Sequence, residues 1–305
     1  MAAKVKGRRR PSAEPKPGSL AAWRRAARAR LKASRIETSA IDADLIAQYV
    51  LGISRIELIL QTDRTLNASE KRNLARLLEQ RSKRVPMQYL LQDVEFSGLR
   101  LEVRPGVFIP RPETEGLVER VLGLLPRTPG WVADIGTGTG AIALALAAAR
   151  RNLRVLATDI SADAIRQARR NAKRLELDER VTFMKGDLTR PLEPKWTHRL
   201  LAVVSNPPYI AFAERKMLPP EVVEYEPHAA LFARDHGMAA IRALAKNAAG
   251  VLQPGGFLAL EIGEGQRDRV AATLHQAGHW AEIRIERDLA GKDRYAIGRL
   301  TIKET

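Results

Sequence analysis

The fold is decided by the stretch Trp131-Val132-Ala133-Asp134-Ile135-Gly136-Thr137-Gly138-Thr139-Gly140, which an alanine-rich segment at 141–150 follows. A short apolar strand, a glycine turn and a helix form the first βα unit of a nucleotide-type α/β fold. Glycines leave the backbone of such a turn bare, so that a ligand can lie against it. The stretch therefore predicts a cofactor site at this turn, with a purely structural glycine turn as the alternative.

The next two predicted strands also end in polar residues. Residues 153–158 form an apolar run that ends in Asp159, where a carboxylate accepts hydrogen bonds from both hydroxyls of a ribose. Residues 181–185 are followed by Gly186-Asp187, and the Asp187 side chain is expected to meet an adenine edge. Three consecutive strands with such ends favour a nucleotide-containing cofactor over a structural turn.

A fourth predicted strand, Leu201-Ala202-Val203-Val204-Ser205, ends abruptly at Asn206-Pro207-Pro208-Tyr209. Proline fixes φ and donates no ladder hydrogen bond, so Asn206 is presented at the edge of the sheet. The side-chain carbonyl of Asn206 and the backbone carbonyl of Pro207 are two acceptors that suit an NH2 group, and Tyr209 offers a face for a planar amide or base. A proline-terminated strand with an Asn turn is the alternative explanation.

Several segments together resemble a known family. They are Phe108-Ile109-Pro110-Arg111-Pro112-Glu113-Thr114-Glu115, the residues 134–141, the residues 205–210, Tyr225-Glu226-Pro227, and Arg287-Asp288-Leu289-Ala290-Gly291-Lys292-Asp293-Arg294. From residue 86 to residue 300 the chain is similar to the Rossmann-like S-adenosylmethionine-dependent methyltransferases, and among them to the release factor glutamine methyltransferases. A sister group acts on a glutamine of a large-subunit ribosomal protein and tends to have a serine-containing version of the first segment. The intact Pro110-Arg111-Pro112-Glu113-Thr114-Glu115 favours the release factor branch.

The resemblance implies a fold, a cofactor and a substrate. The expected fold is a class I methyltransferase domain with a seven-stranded mixed sheet, preceded by a small helical bundle and a β-hairpin linker. The expected cofactor is S-adenosyl-L-methionine, and the expected substrate is the glutamine of the Gly-Gly-Gln motif in class I peptide chain release factors. Leu188 is expected to touch the adenine. No metal is expected.

The predicted site residues form two groups. Asn206, Pro207 and Tyr209 are predicted to be catalytic, and with Pro208 they are predicted to bind the substrate. The predicted cofactor-binding residues are Asp134, Gly136, Thr137, Gly138, Thr139, Gly140, Asp159, Asp187, Leu188 and Asn206.

An amide nitrogen is a poor nucleophile because its lone pair is delocalised into the carbonyl, whereas a sulfonium methyl group is strongly electrophilic. The catalytic task is therefore positioning and polarisation more than proton abstraction. The absence of a histidine beside Asn206 does not weaken this interpretation. Among the five histidines only His275 and His279 have a metal-like spacing, and we interpret that spacing as incidental.

Composition and periodicity predict four parts. Residues 1–18 form a disordered basic tail, 19–86 a helical substrate-recognition domain of four or five short helices, 87–110 a β-hairpin linker and 111–305 the methyltransferase domain. Within the linker, residues 89–109 alternate and contain Gly98 and Pro105-Gly106, which predicts the hairpin itself. Asn67 or Ser69 is predicted to cap the last helix of the bundle. Arg111 and Glu113 are predicted to form part of the cofactor or substrate lip, and the proline-rich segment 211–230 is predicted to be a lid.

The composition excludes several protein classes. The chain has 305 residues with 45% hydrophobic residues, no cysteine and no apolar run of 18 residues, which predicts a soluble, cytoplasmic protein without disulfides or thiolate zinc sites. Residues 1–35 hold twelve Lys or Arg and one Glu, and so carry +11 of the total net charge of +16. Within this region the basic tail, residues 1–18, predicts a weak, salt-sensitive attraction to RNA, and a solvated extension without function is the alternative.

Three other functions share parts of the pattern. An adenine methyltransferase for nucleic acids uses a similar Asn-Pro-Pro-Tyr, but the nearly balanced charge beyond residue 35 and the lack of a base-reading domain argue against it. A nicotinamide-dependent dehydrogenase explains the glycine turn and Asp159 but not residues 206–209. A non-catalytic RNA-binding protein rests on the basic tail alone.

Overall fold

The computed structural model describes residues 14–192 and 194–301. It divides into two compact units, residues 1–91 and 92–305. Most of the predicted basic tail, residues 1–13, lies outside the described residues, whereas the Gly18 carbonyl accepts a backbone hydrogen bond from Leu66 N at 3.1 Å. None of the helices in the described ranges has the length and apolarity needed to cross a bilayer.

The first unit is a bundle of short helices, as predicted. Their bounds are α1 Leu20–Ala33, α2 Ser39–Leu51, α3 Arg55–Leu60, α4 Ala68–Ser82 and α5 Met87–Leu91. Of the two predicted caps, Asn67 is the one that precedes α4, and its side-chain oxygen accepts from Glu70 N at 2.9 Å while the Glu70 carboxylate accepts from Asn67 N at 2.9 Å. This reciprocal pair satisfies two donors that a helix start leaves free. The core of the unit is apolar, with Leu20, Ile46, Leu58, Leu74 and Leu77 buried.

The β-hairpin is shorter than the sequence predicts. Its strands are β1 Val94–Phe96 and β2 Leu99–Leu101, which pair antiparallel. The predicted hairpin runs over 89–109, but its first residues belong to α5, because Pro86 starts a helical turn and its carbonyl accepts from the amides of Tyr89 and Leu90. Residues 102–110 form no strand and lead into the next helix.

The second unit is built on a seven-stranded mixed sheet, which confirms the predicted class I methyltransferase fold. The strands are β3 Gly130–Ile135, β4 Leu153–Asp159, β5 Val181–Lys185, β6 Leu200–Ser205, β7 Ile210–Ala211, β8 Phe232–Ala233, β9 Leu252–Glu261, β10 Trp280–Arg287 and β11 Asp293–Leu300. The sheet order is β10-β11-β9-β6-β3-β4-β5, and β7 and β8 pair with each other. Strands β9, β6, β3, β4 and β5 are parallel, whereas β11 and β10 are antiparallel additions at one edge.

Helices cover both faces of this sheet. They are α6 Pro112–Leu124, α7 Ala141–Ala149, α8 Ala162–Arg174, α9 Pro220–Tyr225, α10 His228–Leu231, α11 Ala239–Asn247 and α12 Arg267–Ala277. One apolar cluster joins the sheet to α6, α7 and α8, and a second joins it to α11 and α12. The predicted lid at 211–230 is a series of short elements, because its prolines interrupt any longer helix.

The strand order brings the two predicted motifs together. Strands β3 and β6 are parallel neighbours, but the chain continues from β3 to β4 on one side of the pair and from β6 to β9 on the other. Such a point of reversed strand order is where α/β sheets form ligand crevices. Ile135, at the end of β3, pairs with Ser205, at the end of β6, and Ser205 Oγ donates to Ile135 O at 2.6 Å. The glycine turn and residues 206–209 therefore start from the same edge.

Candidate active site

A cavity of about 510 Å³ lies at this edge, which is within the range of small-molecule and cofactor sites. Its walls come from the ends of β3, β4, β5 and β6 and from the segments 106–110 and 227–230. Nine predicted site residues line it: Gly136, Thr137, Gly138, Thr139, Asp159, Asp187, Leu188, Asn206 and Pro208. Asp134, Gly140, Pro207 and Tyr209 are not part of its surface.

The glycine turn has a left-handed backbone. Gly136, Gly138 and Gly140 have φ values of 73°, 57° and 87°, which favour glycine. The amides of Gly136 and Thr137 donate to Thr158 O at 2.8 and 2.9 Å, so the turn is tied to the neighbouring strand. Gly140 has a packing role, because a Cβ there would lie 3.2 Å from Ala168 Cβ on α8.

Asp134 lies under the turn and is fully buried. Its Oδ2 accepts from Thr137 Oγ1 at 2.6 Å and from Ala143 N at 3.1 Å, whereas no described residue bonds to Oδ1. Burial raises the pKa of Asp134 to about 7, against the lowering effect of the two hydrogen bonds. Thr139 Oγ1 is a second buried atom without a partner among the described residues. Buried oxygens of this kind indicate a missing donor, such as a polar ligand or a water bound with it.

Asp159 is held at the cavity wall by two backbone amides. Oδ2 accepts from Gly138 N at 2.9 Å and Oδ1 accepts from Ser161 N at 2.8 Å. Burial raises the pKa of this carboxyl, and the two amides oppose that rise. Each oxygen keeps a free lone pair, so the carboxylate can still accept from a pair of hydroxyls.

Asp187 and Leu188 lie on the same wall, after β5. The Asp187 side chain is exposed and lies 3.9 Å from the Arg190 guanidinium. Leu188 has a φ of 47°, and its carbonyl accepts from Thr158 Oγ1 at 2.9 Å. A flat ligand group between these residues would have one polar and one apolar neighbour.

On the opposite wall, Asn206 is oriented by a residue that sequence reasoning missed. Asn206 Nδ2 donates to Thr114 Oγ1 at 3.0 Å, and Thr114 Oγ1 donates to Glu261 Oε2 at 2.6 Å. The side-chain oxygen of Asn206 and the carbonyl of Pro207 accept no hydrogen bond from the described residues. Asn206 lines the cavity, so its side-chain oxygen is available to a ligand, whereas Pro207 is buried and lies outside the cavity surface.

Tyr209 is tied to the same carboxylate. Its hydroxyl donates to Glu261 Oε1 at 3.2 Å, and its backbone carbonyl accepts from Gln266 Nε2 at 2.8 Å. Burial raises the pKa of Tyr209, as does the nearby charge of Glu261. Burial also raises the pKa of Glu261, whereas the hydrogen bond from Thr114 and the positive charge of Arg294 act in the opposite direction.

The two loops of the cavity mouth are joined by an ion pair in which Glu226 is buried and Arg111 is partly exposed. The Arg111 guanidinium contacts Glu226 Oε1, and Ile109 N donates to Glu226 Oε2 at 3.2 Å. Arg111 also lies over the Phe108 ring at 4.8 Å. Of the two predicted lip residues, neither Arg111 nor Glu113 lines the cavity itself, and Arg111 contributes by joining the two loops. Pro110 and Thr114 form that part of the wall.

Thr114, Glu226, Glu261 and Gln266 are the site residues that sequence reasoning missed. Glu261 carries the same signal as Asp159, because it is a carboxylate at the end of an apolar run. Sequence reasoning that applied this signal to every such run would have found it. Thr114 lies in the segment 108–115, but nothing local distinguishes it from its neighbours. Within the described part of the chain, no group of three His, Asp or Glu side chains is arranged to hold a metal ion.

Comparison with known proteins identifies relatives for both units. The family model described as PrmC N-terminal domain matches residues 22–91, and the one described as Methyltransferase small domain matches residues 101–225. A release factor glutamine methyltransferase of Nitratidesulfovibrio vulgaris is 36% identical over 90% of this chain and 93% of its own length. The Caulobacter vibrioides protein of the same name is 38% identical over 91% of this chain and 94% of its own.

A similar solved structure supports the fold alone. The catalytic domain of hMettl16, solved with an RNA hairpin, superposes with a TM-score of 0.54 at 16% identity, covering 68% of this chain and 77% of that domain. At this identity the likeness extends to the methyltransferase sheet and its helices and carries no information on the substrate.

Proposed function

The chain belongs to the release factor glutamine methyltransferase family, and we propose that Asn206, Pro207 and Tyr209 hold the acceptor glutamine beside the cofactor cavity. It is an S-adenosylmethionine-dependent protein-glutamine N-methyltransferase. Its acceptor is the side-chain amide nitrogen of the glutamine in the Gly-Gly-Gln motif of class I peptide chain release factors. The observation that carries the residue roles is the unpaired oxygen of Asn206 at the cavity wall.

The cofactor side of the cavity fits S-adenosyl-L-methionine. Asp159, fixed by two amides, would accept from the ribose hydroxyls, and the bare backbone of 136–140 would hold the methionine and ribose portion. Asp187 and Leu188 would hold the adenine, and the partnerless oxygens of Asp134 and Thr139 would bind polar groups of the cofactor. A cation near Asp134 would favour its charged form. When bound, the cofactor supplies the electrophilic sulfonium methyl group and leaves as neutral S-adenosylhomocysteine.

On the acceptor side, the carbonyls of Asn206 and Pro207 each accept one amide hydrogen of the glutamine. This pairing turns the nitrogen lone pair toward the cavity and draws electron density onto the nitrogen. Tyr209 presents its ring to the flat face of the amide. As the nitrogen forms its new bond to carbon it becomes positive, and the two carbonyl dipoles stabilise that charge. One hydrogen of the amide is then released to water as a proton.

The glycines of the Gly-Gly-Gln motif suit this arrangement. Two loops that the Arg111–Glu226 ion pair joins form the cavity mouth, so a glutamine must enter from a backbone that comes close to its rim. Residues without side chains do not collide with that rim. Release factors act in translation, and we therefore infer a cytoplasmic location for the enzyme.

One assay tests the function. Labelled S-adenosylmethionine is offered with a class I release factor, a large-subunit ribosomal protein or a DNA duplex, and the products are mapped by mass spectrometry. We expect a gain of one methyl group on the glutamine of the Gly-Gly-Gln motif. A release factor with that glutamine replaced by alanine is the control and should gain none. Methylation of only the ribosomal protein, or of only adenine in DNA, overturns the assignment.

For the basic N-terminal segment we propose a weak contact with RNA. The support is its charge, since residues 1–18 hold six Lys or Arg against one Glu, a net +5 of the +11 in residues 1–35. Deletion of residues 1–18 should leave turnover on a free release factor unchanged and reduce retention on RNA at low salt. Unchanged retention contradicts the RNA contact, and a large loss of turnover at moderate salt would place the segment in the active complex.

A further inference from the structure

We propose that Glu261 is a positioning residue for the acceptor glutamine, acting on Asn206 through Thr114 and directly on Tyr209. This inference rests on the proposed roles of Asn206 and Tyr209. It assigns a task to two residues, Thr114 and Glu261, to which the sequence analysis gave no role; Thr114 lines the cavity and Glu261 lies behind it. Glu261 itself does not line the cavity, so it acts only through the side chains it holds.

The geometry connects one carboxylate to both acceptor-side residues. Glu261 Oε2 accepts from Thr114 Oγ1 at 2.6 Å, and Thr114 Oγ1 accepts from Asn206 Nδ2 at 3.0 Å. Glu261 Oε1 accepts from the Tyr209 hydroxyl at 3.2 Å. Glu261 and Thr114 are 1% and 4% exposed, so water does not compete for these bonds.

The fold brings the carboxylate to this place without a local motif. Leu260 of β9 pairs with Ser205 of β6, so Glu261, which ends β9, and Asn206, which follows β6, lie at the same edge of the sheet. Thr114 comes from the first turn of α6, far away in sequence. The end of β6, the start of α6 and the end of β9 are thus joined by two hydrogen bonds, from Asn206 to Thr114 and from Thr114 to Glu261.

The polarity of this chain of bonds determines which way the Asn206 amide points. A threonine hydroxyl has one hydrogen, and Thr114 gives it to the carboxylate. Its oxygen is then only an acceptor toward Asn206, and it must receive the NH2 group rather than the oxygen. The Asn206 oxygen is consequently directed away from Thr114, where it can accept from a substrate amide.

In a Glu261→Gln variant the Tyr209 hydroxyl still donates to the side-chain oxygen, so the new NH2 group faces Thr114. The Thr114 hydroxyl then accepts from that NH2 group and is free to donate to Asn206 instead. The Asn206 amide then turns over and presents NH2 to the NH2 of the glutamine, so two donors face each other. Burial raises the pKa of Glu261, and the charge of Glu113 acts in the same direction, whereas the hydrogen bonds from Thr114 and Tyr209 and the positive charge of Arg294 favour the carboxylate. Arg294 is itself held by Asp288 at 3.3 Å and by the carbonyl of Ile262 at 3.2 Å.

The test uses three variants of the full chain. Thr114→Val removes the hydroxyl at nearly constant shape, Thr114→Ser keeps it, and Glu261→Gln removes the charge. We expect Thr114→Val and Glu261→Gln to lower kcat on the release factor by about tenfold to a hundredfold, the effect of misorienting a reacting group. Thr114→Ser should stay within about threefold of the wild type. The Kd of S-adenosylhomocysteine for Glu261→Gln should be unchanged, since Glu261 lies outside the cavity.

A matched control separates positioning from loss of a buried hydroxyl. Thr273 on α12 is also buried, and its Oγ1 donates to the backbone carbonyl of Arg269 at 2.7 Å, remote from the cavity. Thr273→Val should keep the kcat of the wild type. If Thr114→Val behaves like Thr273→Val, the inference is wrong. If Thr114→Ser is as slow as Thr114→Val, the role is packing and the inference is also wrong.

A double variant distinguishes a connected chain of bonds from two separate defects. Thr114→Val should lower kcat little further in the Glu261→Gln background, because both changes interrupt the same path to Asn206. Multiplicative losses contradict the proposal. The wild type is assayed first: if it leaves the release factor glutamine unmethylated, the proposed function fails, whereas an active wild type with a fully active Thr114→Val enzyme removes only this inference.

Discussion

The two sides of the cavity are built from contacts of different range. On the cofactor side, the bonds that fix Asp134 and Asp159 join residues 2 to 21 positions apart. On the acceptor side, the bonds that fix Asn206 and Tyr209 span 92, 147 and 52 positions. The first side is a local motif, whereas the second exists only when distant elements have docked.

This difference indicates that binding and turnover are separable. Asp159 and the glycine turn line the cavity that we propose for the cofactor. Glu261 lies outside this cavity and bonds to Thr114 and Tyr209, and Thr114 bonds to Asn206. Changes on the local side should therefore appear in cofactor affinity or stability, and changes on the long-range side in kcat.

The largest expected effect tests the acceptor side. Asn206→Ala removes the acceptor that orients the amide and should lower turnover by about a hundredfold or more, comparable to the loss of one preorganised polar contact. The Kd of S-adenosylhomocysteine should change much less. Single-turnover methylation measures the turnover, and calorimetry measures the Kd. The control is Asn152→Ala, since the Asn152 side chain donates only to the backbone carbonyl of Arg127 in a loop outside the cavity. Full activity of Asn206→Ala would contradict the assignment.

The second prediction concerns pH and the cofactor side. Burial holds the pKa of Asp134 at about 7, above its usual 3.8, so the free folded protein binds an extra proton between these values. The protonated Asp134 therefore stabilises the folded state. This contribution to the unfolding free energy is fully present below about pH 4 and is lost as the pH rises through about 7. Relative to Asp134→Asn, which does not titrate, the wild type should lose about 2 to 3 kcal/mol of unfolding free energy between pH 5 and pH 8. Urea unfolding curves that shift equally for both proteins would refute this.

The third prediction measures the ribose contact. Asp159→Ala should weaken cofactor binding by about 1 to 3 kcal/mol, the cost of leaving polar partners unpaired. Calorimetry with S-adenosylhomocysteine measures it. Asp163→Ala on α8, whose exposed carboxylate pairs with Arg166, is the matched control and should bind normally. Unchanged affinity of the Asp159 variant, or tighter binding of NAD than of S-adenosylhomocysteine, would exclude the cofactor assignment.

The smallest effect separates the Tyr209 ring from its hydroxyl. Tyr209→Phe keeps the aromatic face and removes the bond to Glu261, so kcat should fall only about two- to tenfold, the net value of one hydrogen bond. Tyr209→Ala should cost more, because the face is lost as well. Equal rates for the two variants would show that the ring does not contact the amide.

Sequence reasoning found the local parts of the site and left out the long-range ones. The strand ends at Asp159, Asp187 and Asn206 each have a signal within a few residues, since a carboxylate or amide follows an apolar run. Glu261 has this signal too, but its partners, Thr114 and Tyr209, are separated from it by 147 and 52 positions. The hairpin was predicted too long for a related reason, because alternation over 89–109 does not reveal that Pro86 starts a helical turn.

The sequence by itself determined the βα unit with its bare turn, the acceptors at the end of β6 and the family. These features depend on bonds and steric limits within a few residues, which any fold of the chain must respect. Only the tertiary structure decided that Gly140 packs against α8, that Glu226 joins the two loops of the cavity mouth, and that one carboxylate on β9 orients Asn206 and Tyr209. Those choices depend on strand order, since it is the placement of β6 between β3 and β9 that brings the glycine turn, Asn206 and Glu261 to one edge.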